Sequence, residues 1–243
     1  MRIPRIYTSL PLDAATELAL DPRAAHYLGQ VLRMKVGREL LLFNGDGFAY
    51  PAVITTASKK NISCKISAPI APIEPSPTLP LELGIAISKG DRLDWVIQKA
   101  TELGVQRISP LTTERVDVKL NGERLHKKQQ HWQQVMISAC EQCGRNRLVD
   151  IAELQTLDNW RQTLNADLKL VLYPIAETGL AERAAPASAA LLIGPEGGLS
   201  EAEIIASRQS GFEALQLGPR VLRTETAPLA ALSILQFRWG DMG

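Results

Sequence analysis

The pattern of apolar and polar positions changes at about residue 70. Before that point, short segments rich in β-forming residues alternate with polar turns such as Asn44-Gly45-Asp46-Gly47. This pattern predicts a small β-barrel over residues 1–70. A helix is expected ahead of its strands, because Asp21-Pro22 has the cap-then-proline order of a helix start. The apolar positions of that helix are Ala25, Leu28, Val31 and Leu32, and the predicted strands are 38–43, 48–56 and 62–66.

A proline-rich segment follows the barrel. Five prolines occur from Pro69 to Pro80, both ends included. Because proline fixes φ and lacks an amide donor, we expect an extended linker over 71–80. From residue 81 to residue 243, strands and helices alternate, which predicts a second domain built on a parallel sheet. The predicted strands are 81–87, 107–111, 148–152, 169–173, 190–193 and 214–217, and the predicted helices begin near residues 91, 123, 157, 200 and 226.

The composition excludes several classes of protein. Of 243 residues, 45% are hydrophobic and 22% are charged, which excludes a disordered chain, a collagen and a coiled coil. The longest apolar runs are far shorter than the ~18 to 20 residues of a membrane span. The first residues lack an apolar secretory segment and the three cysteines cannot all pair with one another, so we expect a cytoplasmic protein without membrane association.

Charge is distributed unevenly along the chain. Residues 1–70 contain nine Lys or Arg against five Asp or Glu, a net charge of +4, whereas the remainder has 18 against 21. A basic block favours an anionic partner such as RNA, although an ordinary solvated surface would give the same count. The candidate RNA-binding residues are Arg2, Arg5, Arg33, Lys35, Arg38, Lys59 and Lys60, together with Arg145 and Arg147 after the long helix.

Two strand ends carry the strongest local motifs. After an apolar strand, the segment Gly194-Pro195-Glu196-Gly197-Gly198 leads into a helix that Ser200 can cap. The segment 215–227 has a similar order, since a strand is followed by glycine, proline and polar residues and then by a helix. Glycines at the carboxyl ends of strands let backbone amides approach a ligand closely. A turn that merely starts a helix, and a surface ion pair of Arg223 with Glu225, are the alternatives.

Residues 189–228 resemble the carboxyl-terminal signature of the SPOUT-type methyltransferases. The segments 1–7, 31–34, 140–147 and 217–226 further resemble one SPOUT family, the small-subunit (16S) ribosomal RNA uridine-N3 methyltransferases of the RsmE type, and the likeness extends over nearly the whole chain. The resemblance implies a PUA-like RNA-binding barrel followed by an α/β domain with a C-terminal trefoil knot. Periodicity alone would have predicted an unknotted doubly wound sheet.

The resemblance also implies the ligands. S-adenosylmethionine is the expected cofactor, the small ribosomal subunit or its RNA is the expected substrate, and a homodimer is the expected assembly, with no metal. The expected cofactor-binding residues are Leu172, Tyr173, Pro174, Gly194, Pro195, Glu196, Gly197, Gly198, Leu217, Gly218, Leu222, Arg223, Thr224 and Thr226. A SPOUT enzyme for another RNA, or a noncatalytic assembly factor with the same fold, are the alternatives.

The chemistry of the expected reaction suggests two catalytic residues. Uridine N3 carries an imide proton that must leave before or during attack on the methyl group. Glu225 is an oxygen base in the expected loop, and Arg223 could stabilise the developing anion. Alternatively, Glu225 only neutralises Arg223.

Cys140 and Cys143, with His126 and His131 upstream, raise the question of a zinc site. Residues at i and i+3 share one helix face, and apolar residues such as Trp132 extend the same stripe. A structural zinc site needs four ligands in suitable loops, so core packing is the favoured interpretation.

Overall fold

The computed structural model describes residues 3–58, 61–70, 76–118, 120–173, 180 and 183–243. The chain divides into two units, Met1–Ser76 with Ile137–Leu148, and Pro77–Met136 with Val149–Gly243. The predicted barrel falls within the first unit, but the sequence did not indicate that residues 137–148 group with it. Within the predicted linker, residues 71–75 lie outside the described part, so its boundaries stay a prediction.

Five strands form the sheet of the first unit, in the order β1-β3-β4-β5-β2. The three longer strands were predicted. The two edge strands were not, because three residues are too few to show a period, and β1 pairs in parallel with β3. The strands are β1 (Arg5–Tyr7), β2 (Glu17–Ala19), β3 (Glu39–Phe43), β4 (Tyr50–Ala57) and β5 (Ile62–Ile66).

The predicted first helix is shorter than its apolar spacing suggested. Helix α1 spans Pro22–His26 and its N-terminus is capped by the Asp21 side chain. A π-helical turn, Tyr27–Val31, follows it. This turn changes the register, so Ala25 and Leu28 are buried, whereas Val31 and Leu32 are exposed. Of the four apolar positions of the predicted helix, the last two therefore do not face the core.

Polar contacts explain why residues 137–148 belong to the first unit. Glu141 forms an ion pair with Arg23 at 2.9 Å and accepts a hydrogen bond from the backbone amide of Tyr7 at 3.0 Å. Arg5 donates to the side chain of the fully buried Asn146. Such contacts join segments far apart in the sequence, which no local pattern reveals.

The second unit is an α/β structure on a parallel sheet, as predicted. Strand order is β12-β10-β11-β6-β7-β8, with β9 also paired to β7, and every recorded pairing is parallel. The strands are β6 (Leu81–Ala86), β7 (Arg107–Thr112), β8 (Asp150–Ile151), β9 (Gln155–Thr156), β10 (Leu168–Leu172), β11 (Ala189–Ile193) and β12 (Phe212–Leu215). The remaining helices are α2 (Arg92–Glu102), α3 (Gly122–Cys143), α4 (Leu157–Thr163), α5 (Glu201–Gln209) and α6 (Thr226–Trp239).

The centre of this sheet is packed against Trp160 of α4. Gly84 lies in the central strand β6, and a Cβ atom there would stand 2.5 Å from Trp160 Cζ2 and 2.8 Å from Cζ3. The Trp160 ring is 2% exposed, and its Nε1 donates to the Glu82 carboxylate at 2.6 Å. The absence of a side chain at residue 84 therefore makes room for the indole. Among the described helices, none is long and apolar enough to span a membrane.

Candidate functional site

A cavity of about 720 Å³ lies at the carboxyl ends of β10, β11 and β12. Because parallel strands end at one edge of the sheet, their following loops meet there, as the sequence predicted. The loops contribute most of the expected cofactor and catalytic residues. Those that line the cavity are Leu172, Tyr173, Gly194, Pro195, Glu196, Gly198, Leu217, Gly218, Leu222, Arg223, Thr224 and Glu225.

Two described members of the expected cofactor set do not line the cavity. A Cβ atom on Gly197 would lie 3.5 Å from Arg115 Cβ, and its carbonyl accepts from Arg115 Nη1 at 2.9 Å. Gly197 therefore faces the loop after β7. Thr226 is the first residue of α6, and Pro174 lies outside the described residues.

The loop after β11, residues 194–200, is held by its own backbone and by one carboxylate. Gly198 has φ +70° and its amide donates to the Pro195 carbonyl at 2.9 Å, which closes a tight turn. Ser200 and Glu203 form the predicted capping box. The Glu203 carboxylate also accepts from the amide of Glu114 at 2.8 Å, so it ties the loop after β7 to the start of α5.

The loop after β12 supplies the expected catalytic pair. The Arg223 carbonyl accepts from the amides of Thr226 and Ala227, both at 2.9 Å, and this starts α6. Arg223 Nη1 lies 4.0 Å from Glu225 Oε1, with side-chain exposures of 81% and 23%. A carboxylate on the cavity wall can accept a proton, and an exposed cation beside it can stabilise a developing negative charge.

Sequence reasoning missed three arginines of the cavity, Arg92, Arg115 and Arg220. Arg92 forms an ion pair with Glu196. A signal for Arg115 was present, because it follows a predicted strand of the same parallel sheet. Arg220 lies inside the segment 215–227, but the sequence motif did not indicate it as a binding residue.

The predicted RNA-binding residues differ in accessibility. Arg33, Lys35 and Arg38 are exposed in the first unit, and Arg33 has the unusual φ of +50°. By contrast, Arg145 is 8% exposed and Arg5 donates to its carbonyl at 3.3 Å. Arg145 is therefore little accessible in this fold, and the RNA contacts of Arg145 and Arg5 stay predictions.

Three further basic candidates, Arg2, Lys59 and Lys60, lie outside the described residues. Arg147 is half-buried, and its guanidinium packs beside Gly47, where a Cβ atom would lie 2.9 Å from Nη2. The RNA contacts of these residues stay predictions.

The cysteines and histidines of α3 do not converge. Cys140 is buried and Cys143 is exposed, whereas His131 Nε2 lies 2.6 Å from Asp94 Oδ2. Burial by itself would raise the pKa of Asp94, but hydrogen bonds and charges from Lys128 and His131 hold that pKa below its ordinary value. Among the described residues, no group of three or more His, Cys, Asp or Glu side chains could hold a metal ion.

Comparisons with known proteins identify the family. An RNA methyltransferase domain matches residues 74–236, and an RNA methyltransferase PUA domain matches residues 20–67. "Ribosomal RNA small subunit methyltransferase E" of Buchnera aphidicola subsp. Schizaphis graminum is 37% identical over 99% of this chain and 98% of its own. The chain belongs to the ribosomal RNA small subunit methyltransferase E family. A family member from Bacillus subtilis is 32% identical over 95% of this chain and 94% of its own.

Solved structures agree with this family. A methyltransferase from Legionella pneumophila, solved with the bound cofactor SAM, is 42% identical over 99% of this chain and 100% of its own, with a TM-score of 0.95. A methyltransferase E from Neisseria gonorrhoeae bound to S-adenosyl methionine is 35% identical over 100% of both chains, with a TM-score of 0.94. The family resemblance, the PUA-like N-terminal sheet and the α/β methyltransferase domain are confirmed.

Proposed function

We propose that this protein transfers a methyl group from S-adenosylmethionine to N3 of a uridine in 16S ribosomal RNA of the small subunit. The observation that carries the proposal is the 720 Å³ cavity, whose walls come from the strand-end loops expected from sequence in a chain of this family. The named activity of the relatives and the SAM bound in two similar structures support it.

The cavity suits this cofactor chemically. Its volume lies within the roughly 300–1,000 Å³ of ligand cavities, Gly194 and Gly218 leave backbone accessible, and Ile193 and Leu215 offer apolar surface to an adenine ring. Glu196 and Glu225 place carboxylates near a cationic ligand. When bound, S-adenosylmethionine supplies an electrophilic methyl group.

Within this proposal, Glu225 accepts the N3 proton of uridine. Its side chain lines the cavity and is about three-quarters buried, which limits competition from water. Arg223 stabilises the negative charge that develops on the uridine ring as the proton leaves, since its guanidinium is close to the carboxylate yet largely exposed to an arriving substrate. In the alternative, Glu225 only neutralises Arg223.

We propose that the first unit binds the RNA. Arg33, Lys35 and Arg38 are exposed there, and no Asp or Glu occurs from residue 22 to residue 38. Phosphate contacts from these side chains would release counterions from the RNA. They would contribute affinity without reading the sequence.

We further propose a cytoplasmic homodimer with a C-terminal trefoil knot, as the resemblance implies. Helix α6 supports the dimer, because Ile234 and Phe237 are 43% and 70% exposed, one turn apart. Apolar surface of this kind marks interaction sites. Phe237→Glu should lower the mass measured by light scattering from that of a dimer to that of a monomer.

Two measurements test the proposed function. Isothermal titration with S-adenosylmethionine should show binding, and no binding would favour the noncatalytic assembly factor. Transfer of a labelled methyl group should then reach unmodified 16S ribosomal RNA in preference to 23S ribosomal RNA or transfer RNA. Labelling of one of the other RNAs instead would support an enzyme with another substrate.

A further inference from the structure

The cavity carries more positive charge than its ion pairs account for. Arg92 is paired with Glu196, and Arg223 is paired with Glu225. Among the described residues, Arg115 and Arg220 contact no carboxylate, and the recorded contact of Arg115 is to the Gly197 carbonyl. The charged residues lining the cavity are Arg92, Arg115, Arg220, Arg223, Glu196 and Glu225.

This excess charge does not suit the cofactor. S-adenosylmethionine carries a sulfonium, an ammonium and one carboxylate, so it has a net charge of +1. Two uncompensated guanidinium groups would repel it overall. The cavity must also admit the RNA substrate, which is an anion. Binding of the RNA by the two guanidinium groups would therefore explain why they lie at this cavity.

The loops that carry the two arginines leave the sheet on opposite sides of the strands β10, β11 and β6. Arg115 follows β7, and Arg220 follows β12. Three strands separate β7 from β12 in the sheet, which places the strand ends four spacings, or roughly 19 Å, apart. A nucleotide that enters between them would have one arginine on each side.

One hydrogen bond holds the Arg115 side chain at the loop after β11. Its Nη1 donates to the Gly197 carbonyl at 2.9 Å, and the neighbouring Glu114 amide is bonded to Glu203 at 2.8 Å. One N–H is therefore used, while the other guanidinium donors remain available to a ligand. Arg220 is exposed and, among the described residues, has no recorded hydrogen bond or ion pair.

We propose that Arg115 and Arg220 form a phosphate-binding site at the cavity mouth, which holds the RNA backbone on the two sides of the target uridine. The inference rests on the proposed function. N3 lies on the pairing edge of the base, so the uridine must leave its stack to react. Two phosphate contacts flanking the nucleotide would hold the strand in that extruded conformation.

The test measures the binding of a 16S ribosomal RNA transcript at a series of KCl concentrations, with S-adenosylhomocysteine present. Arg220→Ala should reduce the magnitude of the slope of log K against log salt by ~0.7, the value for one contact to a single strand. Arg115→Ala should do the same, and Arg115→Lys should keep the slope because it keeps the charge. Arg124→Ala, an exposed arginine of α3 outside the cavity, serves as the matched control and should leave the slope unchanged.

Titration of each variant with S-adenosylmethionine separates this site from the cofactor site. Affinity within twofold of the wild type, with a reduced salt slope, supports the proposal. An unchanged slope in Arg220→Ala, or a loss of cofactor affinity in Arg220→Ala, overturns it. If the wild-type protein methylates no 16S ribosomal RNA, the proposed function itself fails. If the wild-type protein methylates this RNA but the slope of Arg220→Ala is unchanged, only the phosphate site is refuted.

Discussion

Substitution of Gly84 by alanine tests the packing of Trp160 against the centre of the parallel sheet. The new Cβ atom would lie 2.5 Å from Trp160 Cζ2, whereas carbon atoms pack at ~3.5–4.0 Å. The indole would have to move by about 1 Å, yet it is 2% exposed and bonded to Glu82. Overpacking of this kind costs ~1–3 kcal/mol of unfolding free energy.

A double-mutant cycle with Trp160→Phe isolates that clash. Trp160→Phe alone should cost ~2–4 kcal/mol, through a small cavity and the lost bond to Glu82. Trp160→Phe also removes the part of the ring that meets the new methyl group of Gly84→Ala. The double variant should therefore lose ~0.5–3 kcal/mol less unfolding free energy than the two single variants lose together. Urea unfolding, followed by circular dichroism, measures each variant. Strict additivity, or a Gly84→Ala protein as stable as the wild type, would refute the reasoning.

Three further predictions concern the catalytic pair, the loop after β11 (residues 194–200) and Tyr50 of the first unit. Glu225→Gln should lower the single-turnover rate by at least ~10²-fold, with cofactor affinity nearly intact. Raising the pH should increase the rate of Glu225→Gln by a larger factor than the rate of Arg223→Ala. Equal recovery of the two rates would remove Glu225 from the mechanism. Gly194→Ala should weaken cofactor binding in calorimetry, because its Cβ would lie 3.1 Å from the backbone nitrogen of Leu199. Gly197→Ala should bind the cofactor normally, because the nearest atom to its Cβ, Arg115 Cβ, is 3.5 Å away. Equal affinities of the two variants would contradict this loop geometry. A hydrogen bond to Asp46, together with burial, raises the pKa of Tyr50 from its ordinary value of 10.0 to about 12. The free energy of unfolding should therefore fall as the pH rises from 10 to 12. Urea titrations at each pH should show a smaller fall for Tyr50→Phe.

The elements with a clear period were predictable from the sequence. Helix α2 begins near the predicted residue 91, and its buried Leu93, Val96, Ile97 and Ala100 have the spacing of one helix face. Ser200 caps α5 as its motif indicated. Strand β12 begins two residues before the predicted segment. Strands of two or three residues, such as β1 and β9, are too short for a period to show.

Contacts between distant segments were beyond any local pattern. The bonds of Arg23 and Tyr7 to Glu141 group residues 137–148 with the first unit, and they became visible only in the fold. Similarly, Gly197 belongs to the motif by sequence, but in the fold it lies against Arg115 and is not among the residues that line the cavity. The motif predicted the loop correctly, although it could not predict the direction of each residue within it.

The choice of uridine N3 as the methylated atom is the central claim, and nucleoside analysis tests it most directly. Unmodified 16S ribosomal RNA would be incubated with the protein and methyl-labelled S-adenosylmethionine, digested to nucleosides and separated by liquid chromatography with mass spectrometry. The account predicts that the label appears in 3-methyluridine. Label in 5-methyluridine, in a 2′-O-methylated nucleoside or in no nucleoside would contradict it.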